Sequence, residues 1–344
     1  MMSEHLMEYG GLPVFAFSEE TDPSSGLPPA RDVAWHISWE WDSIRFRDIF
    51  DPFLDAVDTT QVSHLIIGYW GSCEDDVYPP DVLIEAVDRL PALKSLFLGY
   101  LHDPWQEFSY VDSRSLDPLL RAFPALERLD VHGDDLELSP FRSETLRTLR
   151  FESDALPAEV VRAVGASDLP SLEHLGMWLG FEANGCTVTL DDLAPLMSGE
   201  RLPALRHLGL ERSSFQDDIA EAVAVAPIVA RLESLSLALG QLTDRGAEAL
   251  LLGQPLTHLK RLYLCDDPER DGFFTDRYAR AWFLPRKGQV LASPERLDLG
   301  AAPHRDHLGS FHCVDHHVFS DAMTERLRVT LPNAEFSFCL YGAR

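Results

Sequence analysis

One hydrophobic pattern recurs along most of this chain. Leu93-Lys-Ser-Leu96-Phe-Leu98 has the form LxxLxL, and so do the segments starting at Leu126, Leu146, Leu172, Leu205, Leu232 and Leu259. Val62-Ser-His-Leu65-Ile-Ile67 is an earlier copy. Starts at residues 62, 93, 126, 146, 172, 205, 232 and 259 make eight copies in order, which chance placement of leucine does not produce. Within each copy the last apolar positions alternate with polar ones, as in a short strand with one buried face.

Amphipathic stretches lie between the copies. Residues 157–164, 218–223 and 244–251 place apolar residues on one helical face, and Thr243 and Ser320 are suited to cap the helices that follow them. One strand and one helix cannot close a core alone. Stacked copies can, by burying a continuous layer between a parallel sheet and a row of helices.

The repeat resembles a leucine-rich repeat of the ribonuclease-inhibitor-like subtype. Leu235-Ser-Leu237-Ala-Leu-Gly-Gln-Leu242-Thr-Asp-Arg-Gly246-Ala-Glu-Ala-Leu250 follows that subtype's pattern. Phe151-Glu-Ser, the segment from Leu156 to Gly165 and Gly253-Gln-Pro-Leu-Thr-His258 also resemble an uncharacterised bacterial family of cytosolic leucine-rich-repeat proteins. The resemblance implies an α/β solenoid, a horseshoe with its parallel sheet on the concave side and its helices on the convex side. It implies no settled activity. One departure stands out. The pattern places Asn three residues after the last apolar strand residue, but here Trp70, Leu101, Asp134, Asp154, Gly180, Ser213, Gly240 and Asp267 occupy that position. Less regular turns are expected.

The ends depart from the rhythm. Residues 1–60 read as an α/β cap, with strands at 12–17 and 33–39 and a helix over 43–57; residues 61–267 are the solenoid proper. An irregular insertion is expected over 268–307, then a terminal repeat and closing strand over 308–344.

Charge narrows the partners. The 344 residues carry 56 acidic and 29 basic side chains, a formal charge of -27, which argues against nucleic-acid backbones and anionic membranes. No stretch is long and apolar enough to span a bilayer, and no signal peptide is visible. Five scattered cysteines without a CxxC pair suggest no disulfide framework, so the cytoplasm is the expected compartment.

The strand positions that alternate with the buried leucines should face the concave side and lie open. Position three holds His64, Ser95, Arg128, Thr148, His174, His207, Ser234 and Arg261. Position five holds Ile66, Phe97, Asp130, Arg150, Gly176, Gly209, Ser236 and Tyr263. Position seven holds Gly68, Gly99, His132, Glu152, Trp178, Glu211, Ala238 and Cys265. Aromatic and arginine side chains carry interface energy, so Phe97, Arg128, Arg150, His174, Trp178, His207, Glu211 and Tyr263 are the expected partner-binding residues. Acids just past the strands (Glu74-Asp75-Asp76, Asp134-Asp135, Asp217-Asp218 and Asp266-Asp267) suggest a negative rim and a neutral or basic protein partner.

No nucleophile elbow, Walker loop or dinucleotide fingerprint is present, so a non-catalytic interaction module without a cofactor is expected. The rival reading is a metal site or metal-dependent enzyme built on His312, Cys313, His316 and His317, whose spacing fits no standard zinc pattern.

Overall fold

The computed structural model describes residues 6–38, 45–68, 70, 78–100, 114–264, 319–332 and 334–335. Each LxxLxL copy becomes a strand. They are β4 (His64–Gly68), β5 (Ser95–Tyr100), β6 (Arg128–His132), β7 (Thr148–Glu152), β8 (His174–Gly180), β9 (His207–Ser213), β10 (Ser234–Ser236) and β11 (Arg261–Tyr263). They lie side by side in sequence order in one open sheet. Upstream come β1 (Glu8–Tyr9), β2 (Leu12–Phe17) and β3 (Ala34–Ile37), and β12 (Ala334–Glu335) follows. All neighbours pair parallel except β1, which turns back antiparallel on β2.

The register follows the repeat residue by residue. Leu65, Leu96, Leu129, Leu149, Leu175, Leu208, Leu235 and Leu262 are successive Cα partners. These leucines and those two residues later are buried in one continuous core. Helices α1 (Phe46–Ala56), α2 (Pro79–Glu85), α3 (Asp117–Ala122), α4 (Ala158–Ala166), α5 (Leu190–Ser198), α6 (Gln216–Val223), α7 (Asp244–Leu252) and α8 (Asp321–Thr330) contribute their apolar faces to that core. The sheet therefore has a helix side and a far face, and β2, β3 and α1 extend the same sheet and core. No helix among the described residues is long and apolar enough to cross a membrane.

The residue before each strand forms a second ladder. Lys94, Glu127, Arg147, Glu173, Arg206, Glu233 and Lys260 alternate in sign. The amide of each, from Glu127 onward, donates to the carbonyl of the one before. Lys94 Nζ lies 2.7 Å from Glu127, Arg147 2.5 Å from Glu173, and Lys260 2.5 Å from Glu233. Exposed pairs of this kind contribute less than about 1 kcal/mol each. Their alternation favours the observed neighbour order over one that skips a repeat.

The turns solve the missing-Asn problem case by case. Asp134 Oδ1 accepts from the Ser153 hydroxyl at 2.6 Å and the Asp154 amide at 3.1 Å. Asp217 on α6 accepts from the Thr243 amide and hydroxyl and from the Gly246 amide, at 2.6–3.0 Å, so it caps α7 from the neighbouring repeat. Thr243 and Ser320 also cap their own helices, as expected. Gly180 works by absence. It has φ +92°, and a Cβ there would sit 2.0 Å from the Asp154 carbonyl oxygen. Gly180→Ala should cost about 3 kcal/mol through left-handed strain and a backbone clash, read as a lower urea midpoint at unchanged m-value. A loss under 0.5 kcal/mol contradicts the close approach.

Among the leucine-rich copies, the β6–β7 crossover contains no helix; upstream, the β2–β3 crossover contains only a single 3-10 turn at Pro23–Ser25. β6 and β7 start only 20 residues apart, the shortest interval between copies, and residues 133–147 cross the helix side in extended and turn conformations.

Candidate functional site

Alternation sends positions three, five and seven to the far face, where the expected site residues sit. The register brings them into rows. In position three Thr148, His174, His207, Ser234 and Arg261 are successive partners; in position five Asp130, Arg150, Gly176, Gly209, Ser236 and Tyr263 are. In position seven His132 pairs with Glu152, and Trp178 with Glu211. Gly99 is not in that row. A bulge and its φ of +78° place Tyr100 opposite Gly68 instead.

The expectation that these columns lie open does not hold for most of them. Phe97, Arg128, Arg150, Trp178, Glu211 and Tyr263 are buried, while His174 and His207 are half-buried. Near β4–β6 the reason is the N-terminus. The Gly10-Gly11 turn folds β1 back, and Leu6 and Tyr9 form a second apolar cluster with Ile66, Phe97 and Tyr100. The Leu6 amide donates to the Tyr100 hydroxyl at 3.0 Å. Gly10 approaches His64 so closely that a Cβ would meet the ring at 2.3 Å.

Charged groups on the far face are buried in two linked clusters. In the first, Arg128 Nε donates to Asp130 Oδ2 at 2.5 Å, the Tyr9 hydroxyl donates to the same oxygen at 2.9 Å, and the Arg128 guanidinium lies 4.5 Å from the Tyr9 ring centroid. Burial, reinforced by the Asp130 carboxylate, pushes the Tyr9 phenol well above its usual range, so it stays a donor at neutral pH.

The second cluster spans β6 to β10. Arg150 lies 2.8 Å from Glu152 Oε1, and His132 Nδ1 lies 3.0 Å from Glu152 Oε2. Trp178 Nε1 donates to Glu211 Oε2 at 3.1 Å, and the Ser236 hydroxyl donates to Glu211 Oε1. The Arg150 and Arg212 guanidinium groups lie 5.6 and 5.7 Å from the Trp178 ring. Two buried carboxyl groups in this cluster diverge. Burial pushes both upward, but Arg150, then His132, outweigh it at Glu152 and hold that group below the usual carboxylate range. At Glu211 burial prevails over Arg150, Ser236 and Trp178, and its pKa is raised.

His174 and His207 form a stacked pair with ring centroids 4.0 Å apart, and His207 Nδ1 lies 2.7 Å from the Ser234 hydroxyl. Burial lowers the His174 pKa to about 3, helped by His207 and Arg128. It lowers His207 to about 4, helped by Arg261. Both rings are therefore neutral at pH 7, which removes the repulsion a stacked pair of imidazolium ions would suffer.

The expected acidic rim changes character. Asp134 and Asp217 are tied into contacts between repeats, and Glu74-Asp75-Asp76 and Asp266-Asp267 lie outside the described residues. The 268–307 insertion and His312, Cys313, His316 and His317 also lie outside them, and no metal-binding group occurs among the described residues. Two residues that sequence reasoning missed are central. Tyr9 reaches across 121 positions to Asp130, and nothing in the repeat signals that. Arg212 follows β9's position seven with φ +54°, rare for a side chain of its size, and pairs with Asp154.

No protein-family model matches this chain, and no curated protein matches it. A solved structure does. A structural-genomics crystal structure of a Bacteroides fragilis protein superposes with a TM-score of 0.66 at 23% identity, over 89% of this chain and 76% of that one. At this identity the likeness shows a shared fold alone.

Proposed function

We propose that this chain is a leucine-rich-repeat solenoid, with the far face as its concave side, acting as a non-catalytic module that binds a neutral or basic protein. An inhibitor, immunity-like or scaffold role fits that reading. The observation that carries it is the row of His174, His207 and Arg261 at the strand starts. These three are half-buried, whereas the position-five and position-seven residues beside them are buried. Two neutral stacked rings, with Arg261 one strand beyond the small, buried Ser234, give an amphipathic surface of the kind that concentrates interface energy. Arg128, Arg150, Trp178, Glu211, Phe97 and Tyr263 then act from beneath, fixing the strands that present the row.

The test is affinity capture from a lysate of the source organism, comparing the chain with His174→Ala/His207→Ala/Arg261→Glu at matched folded fractions. One protein should be enriched by the parent chain and reduced at least tenfold by the variant. Equal recovery by both, or no specific protein, rejects the row as the binding surface.

A further inference from the structure

Residues Leu6 to Tyr9 lie over the far face at strands β4 to β6. We infer that the patch beneath them is a docking site for an extended partner segment of the pattern apolar-x-x-Tyr, which this chain fills with its own strap. The site uses other strands than the His174–His207 row, and it stands whether or not that row binds anything.

The patch reads its occupant at both ends. Leu6 packs with Ile66, Phe97 and Tyr100 in a cluster separate from the continuous core. Its amide donates to the Tyr100 hydroxyl at 3.0 Å. The Tyr9 ring lies 4.5 Å from the Arg128 guanidinium and 6.0 Å from the Phe97 ring, and its hydroxyl donates to Asp130 Oδ2 at 2.9 Å. A phenol satisfies these three partners together, whereas a plain phenyl ring leaves the carboxylate one donor short. Between the two anchors Met7 is 65% exposed and Glu8 is half-buried, so these two positions tolerate other residues.

Site and occupant are held unequally. Phe97, Arg128 and Asp130 stand on β5 and β6 in the interior of the sheet, where Phe97 and Asp130 are register partners. The bond from Arg128 Nε to Asp130 Oδ2 is made without the strap. The strap itself hangs on the two-residue strand β1 at the edge of the sheet, joined to β2 through Gly10 and Gly11, both at positive φ. Short edge pieces of this kind open locally at a smaller free energy than interior strands. Lifting the strap uncovers an apolar patch with a carboxylate already oriented, while the leucine core stays closed. A segment that repeats the chemistry of the strap is the occupant that meets both ends.

The test pairs a fluorescein-labelled peptide with the sequence of residues 6–12 and the full chain carrying Leu6→Ser/Tyr9→Ser, its fold checked by circular dichroism. Anisotropy should show the peptide binding this variant. It should bind the parent chain about tenfold or more weakly, because the strap of the parent competes. Tyr9→Phe in the peptide should weaken its binding to the variant about tenfold, the loss of one hydrogen bond to a charged acceptor. In the parent chain, the amides of Leu6 and Val14 should exchange hydrogen about a hundredfold or more faster than those of β7. The proposal is overturned by a folded variant that ignores the peptide, by equal binding to parent and variant, or by binding indifferent to the phenol. A variant that does not fold, or strap amides that exchange as slowly as β7, overturns it as well, because either makes the strap part of the core.

Discussion

Replacing Arg150 by Met should destabilise the fold by about 3–5 kcal/mol at pH 8, among the largest losses any single change here can cause. The guanidinium is buried 2.8 Å from the Glu152 carboxylate and beside the Trp178 ring. Met keeps most of the packing volume but leaves a buried carboxylate without its cation, and breaking such a pair costs about that much. The pH dependence supplies a sharper signature. Arg150 is the first cause holding Glu152 down against burial, and it also lowers Glu211. Without it both carboxyl groups titrate higher in the folded chain than in the unfolded one. A folded pKa above the unfolded value means protons favour the native state, so the variant's deficit should shrink as pH falls from 8 toward 6. Adding Glu152→Gln should recover part of the loss. Urea titrations at several pH values measure all three. A deficit below 1 kcal/mol, or one constant with pH, contradicts the buried pair.

Acid should weaken the parent chain well before its carboxylates protonate. His64 and His207 have pKa values lowered to about 4 and His174 to about 3, in each case chiefly by burial. An unfolded imidazole titrates near 6.5. Below that pH the unfolded chain takes up protons that the folded chain refuses, so stability is full above about pH 6.5 and is lost as pH falls toward 4. From pH 7.5 to 5, three such groups, discounted for their partial exposure, remove about 3 kcal/mol. Glu211 acts in the opposite sense, because its raised pKa favours the folded state on acidification, but it is one group against three. His174→Gln/His207→Gln should flatten the slope by about half or more. A parent chain equally stable at pH 7.5 and 5 would falsify the burial of these rings.

Much of the fold was legible because a parallel sheet repeats one register. Once Leu65, Leu96 and Leu129 are read as equivalent, position three must align with position three, and the structure places Thr148, His174 and His207 side by side accordingly. Helix starts at Thr243 and Ser320 were legible because capping is local chemistry. What escaped was contact between segments with no periodic relation. Tyr9 lies outside the repeat, and only the three-dimensional path of the Gly10-Gly11 turn carries it to Asp130. Periodicity gives the side of the sheet a residue faces and not its accessibility there: Arg150, Trp178 and Glu211 stand in the expected rows and are buried. The 20-residue interval before Leu146 was visible, but its consequence, a crossover without a helix whose Leu136 and Leu138 still reach the core, needed the structure.

The distance between the ends of the charged ladder tests the stacking of the repeats most directly. Lys94 and Lys260 precede β5 and β11, are exposed, and are separated by the strands β6 to β10. At about 4.8 Å per strand, nitroxides attached through an unnatural amino acid at these two positions should lie about 25–30 Å apart, allowing for curvature. Double electron-electron resonance should give one narrow peak there. A broad distribution, or a peak beyond about 40 Å, would contradict a single continuous sheet.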